Sequence, residues 1–305
     1  MELNNLMKAL ADPSRLRLAN VLMHQELNVG ELVDIFGMGQ PRVSRHLKLL
    51  TDAGLLEVRR DGLWAFYKAR ETGEGRQVLD ALSPLMAKDP GLKADVVEAH
   101  EVAAKRRADS KRFFDAIASD WQSLRAEVLG ELDLGGEVES RMPRVATAAD
   151  LGCGDGGMIP HLLAKAERAI GVDGSRQMLS QAGQRLDREN GRVSLRIGEL
   201  EHLPLADGEA DFALASLVLH HLPEPLLGFR EAARALAPGG RLLVVEFAKH
   251  GKEAMRQRYG DHWLGFSAAE LSGWAQGAGL KKVETARFKV RQGLTVQLLL
   301  AAKPL

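Results

Sequence analysis

Val145-Ala146-Thr147-Ala148-Ala149-Asp150-Leu151-Gly152-Cys153-Gly154-Asp155-Gly156-Gly157 reads as a β-strand that runs into a glycine-rich loop and then opens a helix. Glycines at that junction let the chain turn sharply and bring backbone amides against a ligand. Asp173 closes the next apolar run, Ile170-Gly171-Val172-Asp173, about 20 residues further on, where a carboxylate can accept hydrogen bonds from ribose hydroxyls. Gly152, Gly154 and Gly157 also satisfy the dinucleotide fingerprint. On these residues alone a nicotinamide dinucleotide and another adenosyl compound both stay open.

Outward from this loop, strand-like apolar runs alternate with helical ones. The runs are 145–150, 169–173, 193–197, 212–216, 241–246 and 296–301, and their alternation implies a mostly parallel sheet covered by helices. Upstream, residues 75–140 are helical, charged and punctuated by Pro84, Pro90-Gly91 and Gly135-Gly136. Val96, Val97, His100 and Ala103-Ala104 give this stretch one apolar face. It reads as a connector, and the pattern also suits a helical dimer contact.

The first 70 residues have a different texture. Asp12-Pro13-Ser14 is a helix start, with Asp12 capping and Pro13 in the first turn. Asn28-Val29-Gly30-Glu31 is a second start, with an acid three residues after the cap, and its helix stops at Gly37. A third helix runs from Gln40-Pro41 to Ala53-Gly54. Residues 55–60, Asp61-Gly62 and 63–67 then read as a hairpin on an Asp-Gly turn. Helix, turn, helix and basic hairpin make a winged helix-turn-helix. Val43, Leu47 and Leu50 recur at helical spacing and should face inward, leaving Gln40, Arg42, Ser44, Arg45 and Lys48 turned away. Gln and Arg suit base edges in the major groove, Ser and Lys suit phosphates, and Arg59 and Arg60 of the hairpin could reach the neighbouring backbone. A solvated basic helix face is the bland alternative, and the coincidence of all four parts argues against it. One such module buries little surface, so a homodimer on double-stranded operator DNA is expected.

The composition constrains these readings. Across 305 residues, 41 Lys and Arg balance 41 Asp and Glu, so any nucleic-acid contact must come from a local patch. A single cysteine, Cys153, leaves no disulfide framework within one chain. The first ten residues lack a secretory apolar run, and no run approaches the ~20 residues that span a bilayer. A cytoplasmic protein without membrane contact is expected.

Two resemblances now enter. Leu10-Ala11-Asp12-Pro13-Ser14-Arg15-Leu16-Arg17-Leu18, Gln40-Pro41-Arg42-Val43-Ser44-Arg45-His46-Leu47-Lys48 and Ala53-Gly54-Leu55-Leu56 closely resemble the ArsR family of winged-helix repressors. Members that sense metal carry Cys-x-Cys on the helix before the recognition helix. Asn28 and Gly30 occupy that stretch here, and soft-metal binding needs sulfur there. His24, His46 and His100 make no recognisable ligand set, so no metal is assigned. Asp150-Leu151-Gly152-Cys153-Gly154-Asp155-Gly156, Gly171-Val172-Asp173-Gly174-Ser175, Gly198-Glu199-Leu200, Leu219-His220-His221-Leu222-Pro223 and Leu236-Ala237-Pro238-Gly239-Gly240 resemble the class I methyltransferase motifs.

The second resemblance implies S-adenosylmethionine or S-adenosylhomocysteine as the ligand. It implies that Asp150, Gly152, Cys153, Gly154 and Gly156 hold the methionine part and that Asp173 and Gly174 meet the ribose. Met178, Gly198, Glu199 and Leu200 would lie near adenine, with Ser216 and Leu217 at the methionine end. Cys153 reads as a small buried filler rather than a nucleophile. Arg112-Phe113-Phe114-Asp115 with Trp121 resembles a pocket-covering helix. His220 and His221 are weak candidates for a general base, and shaping the pocket is the favoured role. The expected organisation is therefore mixed: an α+β winged helix-turn-helix (1–74), a helical connector (75–140) and an α/β Rossmann-like methyltransferase-type domain (141–305). The pairing resembles S-adenosylhomocysteine-responsive regulators of the methionine cycle. An active methyltransferase for a small molecule, with an autoregulatory DNA-binding domain, is the alternative.

Overall fold

The computed structural model describes residues 3–305 except Gly62, Ser119, Asp120 and Asn190; side chains are not described for 107–111, Trp121 and Gln257. The chain divides into two compact units, Met1–Ala108 and Asp109–Leu305. The boundary between them falls within the stretch 75–140, expected as a connector.

In the first unit the helices are α1 (Leu3–Leu10), α2 (Pro13–Leu22), α3 (Val29–Phe36), α4 (Gln40–Asp52), α5 (Glu74–Met86) and the beginning of α6 (Pro90–Ile117). Strands β1 (Leu27–Asn28), β2 (Leu56–Asp61) and β3 (Trp64–Ala69) form a small sheet in the order β1-β3-β2. The helix starts follow local chemistry. Asp12 accepts the Arg15 amide, and Pro13 sits in the first turn of α2. Asn28 and Glu31 cap α3 reciprocally, and Gly37 ends it in the left-handed region.

Apolar faces of α1 to α5 meet around Leu18, Leu22, Leu32, Leu47, Leu50 and Leu55. The start of α6 belongs to the same core: Ala99 is buried, Arg17 grips Asp95 through two 2.7 Å bonds, and Asn20 donates to the Leu92 carbonyl. The hairpin register corrects one expectation. Asp61 pairs directly with Trp64, so Asp61 belongs to the strand pair and not to the expected Asp61-Gly62 turn; Gly62 lies outside the described residues. Asp61 is 1% exposed and closes β2, a position unlike that of a solvent-facing turn residue.

The second unit holds, among the described residues, a seven-stranded sheet in the order β6-β5-β4-β7-β8-β10-β9. Its strands are β4 (Val145–Leu151), β5 (Ala166–Asp173), β6 (Val193–Ile197), β7 (Ala210–Ser216), β8 (Leu236–Phe247), β9 (Lys281–Lys289) and β10 (Thr295–Ala302). The first five are parallel, and β10 runs antiparallel between β8 and β9. Alternation along the strands makes two cores. Ala149, Leu151, Ala213, Ala215, Leu242 and Val244 face α11 (Pro225–Ala235) and α13 (Ala268–Gly277). Ala148, Phe212, Leu214, Leu243 and Val245 face α7 (Trp121–Leu129), α8 (Leu134–Arg141) and α12 (Ala254–Tyr259). Helices α9 (Ile159–Leu163) and α10 (Arg176–Arg185) follow β4 and β5. The reading anticipated six of these strands and missed β9, whose charged, mostly exposed residues suit a sheet edge and carry no apolar signal.

Because both halves of the α3 capping box are present, Asn28→Ala should cost about 1 kcal/mol. Faster amide exchange at the start of α3, with β4 unchanged, would register that loss.

Candidate functional site

The sheet order reverses between β4 and β7, and ligands of open α/β sheets bind beyond the strand ends at such a point. Gly152 follows β4 with φ +78°, and a Cβ there would lie 2.3 Å from the Val218 side chain. Only glycine allows that approach. The Gly152 and Cys153 amides both donate to the Val172 carbonyl, so the loop is fastened to β5. Asp173 completes the cradle: one carboxylate oxygen accepts the Gly154 amide and the other the Ser175 amide, each at 2.8 Å. Gly174 lies beside the Gly198 carbonyl. Burial raises the pKa of Asp173, against the pull of its two amide donors.

Asp150 is 1% exposed, between Gly171 of β5 and Leu214 of β7 in register. Burial lifts its pKa to about 7, only partly offset by the Arg125 guanidinium, with Asp173 and Asp155 adding to the rise. Its Oδ2 is buried and has no hydrogen-bond partner among the described residues, and the Ser216 Oγ at the end of β7 is in the same condition. An orphaned buried polar atom costs about 1–3 kcal/mol. Both lie beside the reversal of sheet order. Leu217 follows in the left-handed region (φ +54°), a conformation that costs a branched residue energy and clusters at functional sites. It turns the chain so that Val218 folds over Gly152.

Other expected residues fall unevenly. Cys153 is buried with Ile159, Leu163 and Ala182, and burial pushes its thiol well up, out of the reactive range. Gly156 adopts φ +76° and packs on Leu186 and Ala182. Met178 is buried in the first turn of α10, where its amide donates to the capping Ser175 hydroxyl. Gly198 donates to the Asp173 carbonyl, and Glu199 is exposed just after it. Leu200 packs into the core with Leu203 and Phe229, so its side chain serves the fold.

Helix packing adds residues that sequence reasoning missed. Gln122 of α7 donates to Asp155, and Arg125, half-buried, acts on Asp150 and Asp155 with its charge. The end of α6 lies over the same edge: Asp115 bonds the Ser175 hydroxyl, Phe114 stacks edge-on against His221, and Phe113 abuts Gly260. The 3-10 turn Leu219–His221 follows. His220 Nδ1 contacts Glu246 Oε2 at 2.7 Å, and its Nε2 faces Asp261 at 3.6 Å. Burial works against the His220 imidazolium, but Glu246 and Asp261 outweigh it and raise the pKa to about 9. His221 is held well below the usual range by burial and by the neighbouring His220 charge. An acid ending the apolar run Leu242-Leu243-Val244-Val245-Glu246 was the available signal for Glu246.

On the winged unit, Val43 and Leu47 are buried, while Gln40, Arg42, Arg45 and Lys48 are exposed and Ser44 is half-buried. Arg42 reaches the Ser14 hydroxyl at 3.3 Å, and Lys48 pairs with Asp52; such solvated contacts exchange easily. Arg60 is exposed on β2. Arg59, expected to reach DNA, is gripped by Glu26 through two bonds and lies 4.3 Å over the Phe66 ring. It holds the wing to the strand beside α3.

Residues 12–58 match the bacterial regulatory protein, arsR family, and residues 149–244 match a methyltransferase domain. The chain is 40% identical over 81 residues to the biofilm growth-associated repressor of Xylella fastidiosa, covering 27% of this chain and 70% of the repressor. It is 31% identical over 147 residues to the ubiquinone/menaquinone biosynthesis C-methyltransferase UbiE of Syntrophotalea carbinolica, covering 46% of this chain and 62% of that enzyme. A 37.1 kDa protein in transposon TN4556 of Streptomyces fradiae is 39% identical over 103 residues, 33% of this chain and 30% of that protein. The chain thus spans less than two thirds of the last two relatives. Among solved structures, the [4+2]-cyclase SpnF aligns with TM-score 0.56 at 19% identity, over 64% of this chain and 95% of the cyclase. The N-methyltransferase NodS of Bradyrhizobium japonicum WM9, solved with S-adenosyl-L-homocysteine, gives 0.53 at 17%, over 64% and 99%. At such identities these two show the fold.

Asp150 yields a signed expectation. Its folded pKa, about 7, exceeds the ordinary 3.8, so its contribution to stability falls as pH rises from about 4 to about 7 and is flat above. Asp150→Asn should therefore melt higher than the parent at pH 8, with the gap closing toward pH 4. Thermal denaturation across that range checks it, and a lower melting point at pH 8 would contradict the burial argument.

Proposed function

Because the chain belongs to the arsR family of bacterial regulatory proteins and carries a class I methyltransferase fold, we propose that it is a transcriptional repressor whose hold on operator DNA is set by S-adenosylhomocysteine or S-adenosylmethionine. The observation that carries this reading is the orphaned pair at the sheet reversal, Asp150 Oδ2 and Ser216 Oγ, near Gly152, where Val218 leaves no room for a side chain. In the bound state Asp150 would face the ligand's α-ammonium and Arg125 its α-carboxylate. Asp173 has acceptor capacity beyond its two amide donors, since a carboxylate offers about four lone-pair sites, and would take the ribose hydroxyls. Gly198 and exposed Glu199 would border the adenine. Met178 would close the pocket from below, and Ser216 with Leu217 would border the methionine end.

Sensing is favoured over turnover because the cradle is joined on one chain to an arsR-type unit. Coupling follows from α6, which contributes Asp95 and Ala99 to the first unit and Phe114 and Asp115 to the second. A ligand that draws the end of α6 down would bias the start of the same helix. It alters DNA affinity only if it binds the DNA-competent and DNA-incompetent states differently. A homodimer would present two copies of α4 to successive major grooves, and methionine-cycle genes are the natural targets of such a sensor.

The second reading, methyl transfer to a small acceptor, rests on His221, whose Nδ1 donates to the Gly260 carbonyl at 3.2 Å while Nε2 is buried without a partner. That tautomer leaves a basic nitrogen. Incubation with labelled S-adenosylmethionine and candidate acceptors separates the two: a sensor binds without releasing S-adenosylhomocysteine.

Calorimetry should give one adenosyl ligand per chain, lost in Asp150→Asn. Operator affinity should then shift about 5–150-fold with ligand, the usual range of allosteric coupling. No binding of either compound, or an operator affinity blind to it, defeats the proposal. On the DNA side, Arg45→Ala should weaken operator binding by about 1–3 kcal/mol if it reads a base. Arg59→Ala should lower the melting temperature instead and leave the salt dependence of DNA binding unchanged.

A further inference from the structure

We propose that His220, His221 and Asp261 form a binding site for a divalent transition-metal ion, a ligand set that the sequence reading did not assign. One donor atom from each lies within 4.8 Å of the others. Donors around a single ion at about 2.1 Å stand roughly 3–4 Å apart, so small side-chain shifts close the set.

The arrangement around the two imidazoles is what a metal needs. A ligating histidine nearly always donates its other ring nitrogen to a carboxylate or carbonyl, which fixes the tautomer and aims the free nitrogen. Both rings meet that condition. His220 is tethered through Nδ1 to Glu246 and His221 through Nδ1 to the Gly260 carbonyl. The Nε2 of His220 then faces Asp261, and the Nε2 of His221 is buried with no partner. The ring centroids are 4.0 Å apart. An internal ion pair would account for His220 with its acids but leaves His221 unexplained.

The supports are rigid. Glu246 is fully buried and accepts the amides of Leu219, His220 and Phe247. The His220 carbonyl accepts both the His262 and Trp263 amides at 2.9 Å, which pins the loop bearing Asp261. Gly260 caps α12 with φ +70°, and its missing Cβ leaves space for Phe113. Two imidazoles and one carboxylate suit zinc, cobalt, nickel or ferrous iron, whereas calcium and magnesium prefer oxygen alone. Three protein ligands leave positions open on the ion for an oxygen donor. Val218, two residues before His220, packs on Gly152, so those positions would border the glycine loop. This site does not depend on the adenosyl reading.

The test uses the full chain, stripped with a chelator and dialysed against Co2+ or Zn2+. One ion per chain is expected. His221→Ala and Asp261→Asn should each reduce affinity at least about 100-fold, and Glu246→Gln about 10–100-fold, as loss of an outer-shell partner does. Uptake unchanged in His221→Ala and Asp261→Asn overturns the site, as does uptake lost in His24→Ala, since His24 and His100 face each other elsewhere at 6.5 Å. No uptake by the parent chain also overturns it. Should a variant fail to fold, pulsed electron paramagnetic resonance of the Cu2+-loaded parent counts imidazoles directly: two support the site, and one or none rejects it.

Discussion

A carboxylate sealed between parallel strands governs the second unit. Asp150 is almost excluded from solvent, meets no donor at Oδ2 among the described residues, and sits where β4 and β7 diverge in connection. Interiors tolerate such a group only where something else will satisfy it, because an unmade hydrogen bond in a low-dielectric setting outweighs most packing gains. The surrounding parts follow from that need. Gly152 removes a side chain so that Val218 can close over the loop, Asp173 gathers two amides, and Arg125 brings an opposing charge.

Methyltransferase-type folds serve catalysts and binders alike, so the fold alone does not choose between them. In this chain the choice turns on what accompanies the pocket. The arsR-type unit places a helix with an apolar inner face and a polar outer one in front of solvent. The same α6 that packs under that unit supplies Phe114 and Asp115 to the rim of the pocket.

The rim also shows how buried charge is managed. Glu246, Asp261 and His220 are nearly excluded from water and His221 is half-buried, yet Glu246 and His220 are hydrogen-bonded and the two acids raise the His220 pKa to about 9. On the DNA-facing unit the same logic works in reverse. Arg59 is drawn inward by Glu26 and the Phe66 face, whereas Arg45 remains in solvent. Two arginines of equal charge thus have different uses, decided by neighbours distant in sequence.

Local signals were strong where the chemistry was local. Asp12, Asn28 with Glu31, and Gly37 mark helix boundaries because caps are made within three or four residues. Five of the six anticipated strands declared themselves because burial on both faces demands continuous apolar runs; the sixth, β6, lies at a sheet edge and is only partly buried. The glycine loop and Asp173 were legible for the same reason, since a turn's backbone angles are written in its own residues. Tertiary structure alone decided the rest. Strand β9 has no apolar pattern because its edge is exposed; Leu200 went to the core and Arg59 to Glu26 through contacts that no spacing encodes. The meeting of His220 and His221 with Asp261, some 40 residues away along the chain, exists only because the sheet returns both segments to one edge.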